Sequence, residues 1–284
     1  MVMHKNNHNL VGIFDSGIGG LSVLREIRSM LPFQPLIYIA DQAHVPYGKR
    51  SLEQIKTYSF AITRFLINQG ARLIVVACNT ASAVALKDLR EAHPHLPFVG
   101  MEPAVKPGVE KTATKVVGVL ATPATFQGKL YHTLVERFAG DVTLLKDTCP
   151  GLVEAIEHGD WNSPQTKTIL KRALLPMLEK QADTIILGCT HFPFAIPAIR
   201  EIVGPDIRII DPAPAIARRV TYLLSQDNTI VQGSAQPSIH FCTSGDPDRL
   251  KNILYKLLQV DTRPIPLVWE ENRIAYPKRE RGAA

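Results

Sequence analysis

Two runs constrain this chain most: LIVVACNT (Leu73–Thr80) and TIILGCT (Thr184–Thr190), each an apolar stretch of strand length that ends in a cysteine followed by small polar residues. Continuous Val/Ile/Leu runs without alternation are the pattern of strands buried on both faces of a parallel sheet. Such a sheet needs helical crossovers, and helix-period segments do alternate with the runs. After a strand at Val11–Phe14 and a loop at Asp15–Gly20, Leu21, Leu24, Ile27 and Leu31 recur at helical spacing, with Pro32 ending the helix. A strand at Leu36–Ala40, a helix over Leu52–Gln69, a strand at Leu73–Ala77 and a helix from Ala81 to His93 continue the plan.

The second half restarts it. VVGVLAT (Val116–Thr122) echoes VGIFDS (Val11–Ser16), TIILGCT echoes LIVVACNT, and Gly12/Gly118 and Cys78/Cys189 match at nearly the same offset. The expected fold is therefore α/β, with two pseudo-symmetric parallel-sheet domains and the active site in the cleft between them, where strand-end loops converge. Unrelated α/β halves also share strand patterns; the matched cysteines favour duplication. The expected boundaries are residues 1–102 plus 212–284 for the domain carrying Cys78, and 103–211 for the domain carrying Cys189. The helix and strand after Asp211 are expected to pack back onto the first half.

At 284 residues and 45% hydrophobic content, the chain can fill two cores. Its apolar runs fall far short of the ~18 residues that span a bilayer, and Met1–Leu10 is polar without a secretory pattern, so a cytoplasmic location with no membrane partner is expected. The four cysteines are scattered rather than framed for disulfides, which fits free thiols in a reducing compartment. A net charge of +6 is compatible with steering an anionic substrate, and equally with an ordinary solvated surface. Basic residues cluster only at the C-terminus (Lys278, Arg279, Arg281) without interleaved aromatics, which reads as a disordered end and speaks against a nucleic-acid partner.

Cys78 and Cys189 each follow a strand and precede a helix, a place where unpaired N–H groups and the helix dipole favour a thiolate. Cys149 and Cys242 read as buried apolar residues. A metal held by both thiols and His191 lacks the usual close ligand spacing, and a redox pair would place its cysteines about two residues apart. The loop D15-S-G-I-G-G20 departs from the dinucleotide pattern at its third glycine; a substrate carboxylate could dock on the helix start behind it. Asp15 is a candidate general-base helper facing the Cys78 strand, with a helix cap as the plainer alternative. His191 as a core histidine and Tyr47 as a packing residue are the corresponding plain readings.

FDSGIGGLSVLREI, YIADQAHVPYG, VACNTAS, GCTHFP and TSGDP, in this order, resemble the bacterial glutamate racemases over nearly the whole chain. The resemblance implies cofactor-independent interconversion of L- and D-glutamate by two thiols, with no metal, nucleotide or pyridoxal phosphate, supplying D-glutamate for peptidoglycan. It implies catalytic roles for Cys78, Cys189, Asp15 and His191, with Cys189 acting on L-glutamate and Cys78 on D-glutamate. Substrate contacts map to Asp15, Ser16, Tyr47, Gly48, Asn79, Thr80, Thr190 and His191, and secondary acidic positions to Asp41 and Glu157. A homodimer is expected. Aspartate-acting relatives typically carry Glu where this chain has His191. An aspartate racemase, and a non-catalytic binding or regulatory protein on the same fold, are the competing readings.

Overall fold

The computed structural model describes residues 9–233 and 239–278; the remainder of the N-terminal run, and Arg279 and Arg281 of the basic tail, lie outside the described residues. Among the described residues there are twelve strands: β1 Leu10–Asp15, β2 Leu36–Ala40, β3 Ala71–Val76, β4 Phe98–Gly100, β5 Val116–Ala121, β6 Thr143–Asp147, β7 Thr184–Gly188, β8 Arg208–Ile210, β9 Ile239–Thr243, β10 Ile265–Pro266, β11 Val268–Glu270 and β12 Arg273–Ala275. They form a six-stranded sheet ordered β10-β9-β2-β1-β3-β4, a four-stranded sheet ordered β6-β5-β7-β8, and the hairpin β11-β12. Every pairing in the two larger sheets is parallel. No described helix is long and apolar enough to cross a membrane.

The repeat seen in the sequence extends to topology and register. β2-β1-β3-β4 and β6-β5-β7-β8 run in the same order. Gly12 pairs with Ile74 on β3, and its counterpart Gly118 pairs with Ile185 on β7; Phe14 with Val76 corresponds to Leu120 with Leu187. Cys78 and Cys189 therefore leave their sheets at equivalent steps beyond β3 and β7.

Helices cover the sheets because their apolar stripes demand it. On α1, Leu21–Met30, the residues Leu21, Val23, Leu24 and Ile27 are fully buried while Arg25 is exposed. Burying each such aliphatic side chain contributes roughly 1.5–3 kcal/mol, enough to hold a ten-residue helix that would not form alone. The helix Ala213–Gln226 lays Ile216, Ala217, Val220 and Leu224 into the same core, against α1, and β9 pairs with β2. α2, Leu52–Asn68, starts at a capping box between Ser51 and Gln54. α3, Asn79–Ala92, starts at Cys78 itself. Cys149 and Cys242 are buried in core clusters, and burial pushes the Cys242 thiol up to about 12.

Candidate active site

The ends of β1, β3 and β7 meet at one small cavity of about 10 Å³. Its lining contains Ser16, Tyr47, Gly48, Cys78, Asn79, Thr80, Cys189, Thr190 and His191, together with Pro46, Thr122 and Val153. Cys78 and Cys189 are 4% and 5% exposed, so the chemistry here is shielded from bulk water. Asp15, Asp41 and Glu157 are buried behind the lining rather than in it. At the rim Lys49, next to Gly48, forms an ion pair with Glu154, next to Val153.

The two thiols have different surroundings. Cys78 is the N-cap of α3: its Sγ accepts from the Ala81 N–H at 3.4 Å and its thiol faces the Ser16 hydroxyl at 3.9 Å. The helix start was expected to favour the thiolate, and the balance comes out the other way. Burial first, and then the negative charge of Asp15, push the Cys78 thiol well above its ordinary range, and the Ala81 N–H does not offset them. Nor does Cys189 cap a helix. A 3₁₀ turn, Phe192–Ala195, follows it, with Pro193 at its start, and the sulfur faces the imidazole instead, 3.9 Å from His191 Nδ1.

His191 is the middle of a chain. Its Nε2 lies 2.6 Å from Glu157 Oε1, which also accepts the Ile18 N–H at 2.7 Å; Glu157 Oε2 accepts from Gln42 at 3.0 Å. Burial works against charge on both partners. It is outweighed on His191 by the bonds to Cys189 and Glu157, which hold the imidazole protonated well above its usual range. On Glu157 it is outweighed by His191, Gln42 and the Ile18 amide, which hold the carboxyl below its usual range. A buried imidazolium thus stands between a carboxylate and the Cys189 sulfur, where it is a counter-charge for sulfur-centred negative charge.

Asp15 does not cap α1, whose N-cap is Gly20, and it makes no hydrogen bond to Cys78. Its Oδ1 accepts the Gly17 N–H at 2.8 Å and its Oδ2 accepts the Thr190 hydroxyl at 2.9 Å, tying the Cys78 side of the cavity to the residue after Cys189. Burial raises its carboxyl above the ordinary range, against the opposing pull of His191 and these two donors. Two amides of the Asp15–Gly20 loop are already taken: Asp15 and Glu157 accept from the Gly17 and Ile18 N–H groups. Glycine is required there because a Cβ on Gly17 would fall on the Glu157 carboxylate, and one on Gly19 on His191 and Thr190.

Polar groups that face the cavity remain for a ligand. Both the amide nitrogen and the amide oxygen of Asn79 are buried without a hydrogen-bond partner, a state that costs about 1–3 kcal/mol per group unless something fills the space. The Thr80 hydroxyl is 2.9 Å from that of Thr122, which is 2.9 Å from that of Thr125. Thr122 was not singled out from the sequence, yet the repeat pointed to it: VVGVLAT sets Thr122 opposite Ser16 of VGIFDS. Pro46 and Val153 carry no comparable signal. Asp41 serves the loop rather than the cavity, accepting the Tyr47 hydroxyl at 2.7 Å.

Comparison with known proteins agrees with this geometry. The model of the Asp/Glu/hydantoin racemase family matches residues 12–220. A glutamate racemase of Roseiflexus sp. (strain RS-1) is 48% identical over 248 residues, covering 87% of this chain and 91% of that protein. Among solved structures, a glutamate racemase isoform of Bacillus anthracis superposes with a TM-score of 0.84 at 29% identity, covering 94% of this chain and 100% of that one. The Escherichia coli glutamate racemase, solved with L-glutamate and the activator UDP-MurNAc-Ala, superposes with a TM-score of 0.78 at 35% identity, covering 88% and 95%. With two thiols on matched strand ends in one buried cavity, and with this similarity along almost its whole length, the chain belongs to the Asp/Glu/hydantoin racemase family and, within it, to the glutamate racemases.

Proposed function

We propose that this protein interconverts L- and D-glutamate by proton transfer at Cα between Cys189 and Cys78, without a cofactor. The observation that carries the reading is the pair of cysteines at equivalent strand ends of two like sheets, both lining one cavity. Inversion needs a base on one face of the carbon and an acid on the other, and the two equivalent strand ends each supply one thiol for these roles. Acting on L-glutamate, Cys189 enters as thiolate beside the His191 imidazolium and takes the α-proton. The electron pair left on carbon takes the proton of the Cys78 thiol from the opposite face, so that Cys189 ends as thiol and Cys78 as thiolate. D-glutamate reverses both roles.

Asp15 and His191 set the starting states for the first direction: the Asp15 charge helps keep Cys78 a proton donor, and His191 balances charge at Cys189. Asn79, Ser16, Thr80, Thr190 and the Tyr47–Gly48 wall hold the substrate's ammonium and carboxylates, with donors preorganised in a site closed to water. Glu157 positions His191, and Asp41 positions Tyr47. The chain is divided at 102/103 and 211/212, acts as a cytoplasmic homodimer, and supplies D-glutamate for peptidoglycan.

Racemisation of D-glutamate in heavy water, with chelator and no added cofactor, tests the mechanism. Deuterium is expected at Cα of the product while the remaining substrate stays largely unlabelled at early times. Equal early labelling of both pools would point to one shared base. Cys78→Ala and Cys189→Ala are each expected to abolish inversion, and full activity in either would exclude the two-thiol route. Activity on D-aspartate but not D-glutamate would move the protein to the competing substrate class.

A further inference from the structure

Asp41 is fully buried, yet it does not line the cavity. Its carboxylate is saturated by four donors. Oδ2 accepts from the Tyr47 hydroxyl at 2.7 Å and faces His44 Nδ1 at 2.9 Å, while Oδ1 accepts from the Ser244 hydroxyl at 2.6 Å and from the Trp269 indole N–H at 2.7 Å. Trp269 lies on β11, in the C-terminal hairpin. It is separated from Asp41 by 228 residues and contributes no atom to the cavity. Its ring also closes an aromatic cluster over the loop before Tyr47: His44 stacks on Tyr58 with centroids 3.8 Å apart, and Trp269 meets both edge-on, at 4.8 and 5.3 Å.

These contacts have one shared consequence. The loop from Gln42 to Arg50 carries the Pro46–Tyr47–Gly48 wall of the cavity, and it has little regular structure beyond the 3₁₀ turn Tyr47–Lys49. A loop of this kind holds a binding wall in place only if something outside it fixes its position. The anchor is the Asp41 carboxylate, and the Trp269 N–H is one of the two donors on the oxygen that the loop does not use. Removing it leaves a buried carboxylate short of one charge-assisted bond, and the remaining donors, Tyr47 among them, must readjust.

We propose that Trp269 is a positioning residue for substrate binding: through Asp41 it holds the Tyr47–Gly48 wall of the cavity in its binding geometry. The inference rests on the glutamate racemase reading above and adds to it a requirement for the C-terminal hairpin. Trp269 touches neither substrate nor thiol, so its effect falls on substrate affinity rather than on proton transfer.

Trp269→Phe keeps an aromatic ring against His44 and Tyr58 while removing the N–H together with one ring of the indole. The KM for D-glutamate is expected to rise about 3- to 10-fold, the equivalent of one weakened charge-assisted bond, with kcat within about twofold of the parent. Ser244→Ala, which removes the other donor to Oδ1, is expected to move KM in the same direction. The protein has two tryptophans, and Trp161→Phe leaves Trp269 as its only indole. In that variant D-glutamate is expected to change the indole emission saturably, a signal that a merely structural tryptophan would not give. An unchanged KM in folded Trp269→Phe, a fall in kcat at constant KM, or no emission change in an active Trp161→Phe protein would each overturn the proposal. A parent protein that does not racemise glutamate would instead overturn the functional reading on which it stands.

Discussion

The Thr190 hydroxyl, one residue beyond Cys189, donates to Asp15 Oδ2 at 2.9 Å, so the two walls of the cavity are joined by a buried charge-assisted bond directly between the thiols' neighbours. Asp15 is the carboxylate whose charge helps hold Cys78 protonated. The bond therefore couples the position of one thiol's neighbour to the electrostatics of the other.

Thr190→Val preserves shape and removes that donor. A buried carboxylate left short of a bond costs about 1–3 kcal/mol, and urea unfolding is expected to show a loss in that range. With Asp15 held by Gly17 alone, kcat/KM for glutamate is expected to fall about tenfold or more. Unaltered stability and rate would show that the bond does not matter in solution.

The Glu157–His191 pair predicts a window of pH. Glu157 has its folded value below 4.5, so its charge contributes stability that is complete above pH 4.5 and is lost as pH falls through the lower folded value. His191 has its folded value above 6.5, so its contribution is complete below pH 6.5 and is lost as pH rises through the higher folded value. The pair is at full strength between those limits. Glu157→Gln is expected to cost about 3–5 kcal/mol there, because it leaves a buried imidazolium without its partner. It should also flatten the acid limb and move the basic limb to lower pH, which urea unfolding at a series of pH values would show.

Gly19→Ala places a methyl group on His191 and Thr190. Overpacking at such a contact costs about 1–3 kcal/mol. Because the side chains displaced belong to the Cys189 neighbourhood, activity should drop by more than tenfold while the protein remains folded, as circular dichroism beside a racemisation assay would reveal.

Asn79→Ala separates binding from stability. The amide is unpartnered within the protein, so its removal is expected to leave the thermal midpoint unchanged or slightly raised. It should also abolish most of the stabilisation that D-glutamate confers on the parent. A strongly destabilised variant would mean that the amide serves the fold instead.

Much of this was legible in the chain. The buried strands showed as unbroken Val/Ile/Leu runs, α1 as a period of three and four, and the repeat as paired glycines and cysteines; in each case the signal is local, because strand and helix periods are local properties. Convergence of strand-end loops gave the place of the cavity and its two cysteines, whereas Ser16, Tyr47, Gly48, Asn79, Thr80 and Thr190 of its lining were legible only through the family resemblance.

By itself, then, the sequence determined the alternation of elements, the two equivalent thiol positions and the family. Only the tertiary structure decided what each thiol faces. Glu157 reaches Ile18 across 139 residues and Trp269 reaches Asp41 across 228, contacts that no local pattern encodes. It also decided that Cys78, though it caps a helix, is held as a thiol, because burial and a neighbouring carboxylate are properties of the assembled interior and outweigh the one amide that local geometry supplies.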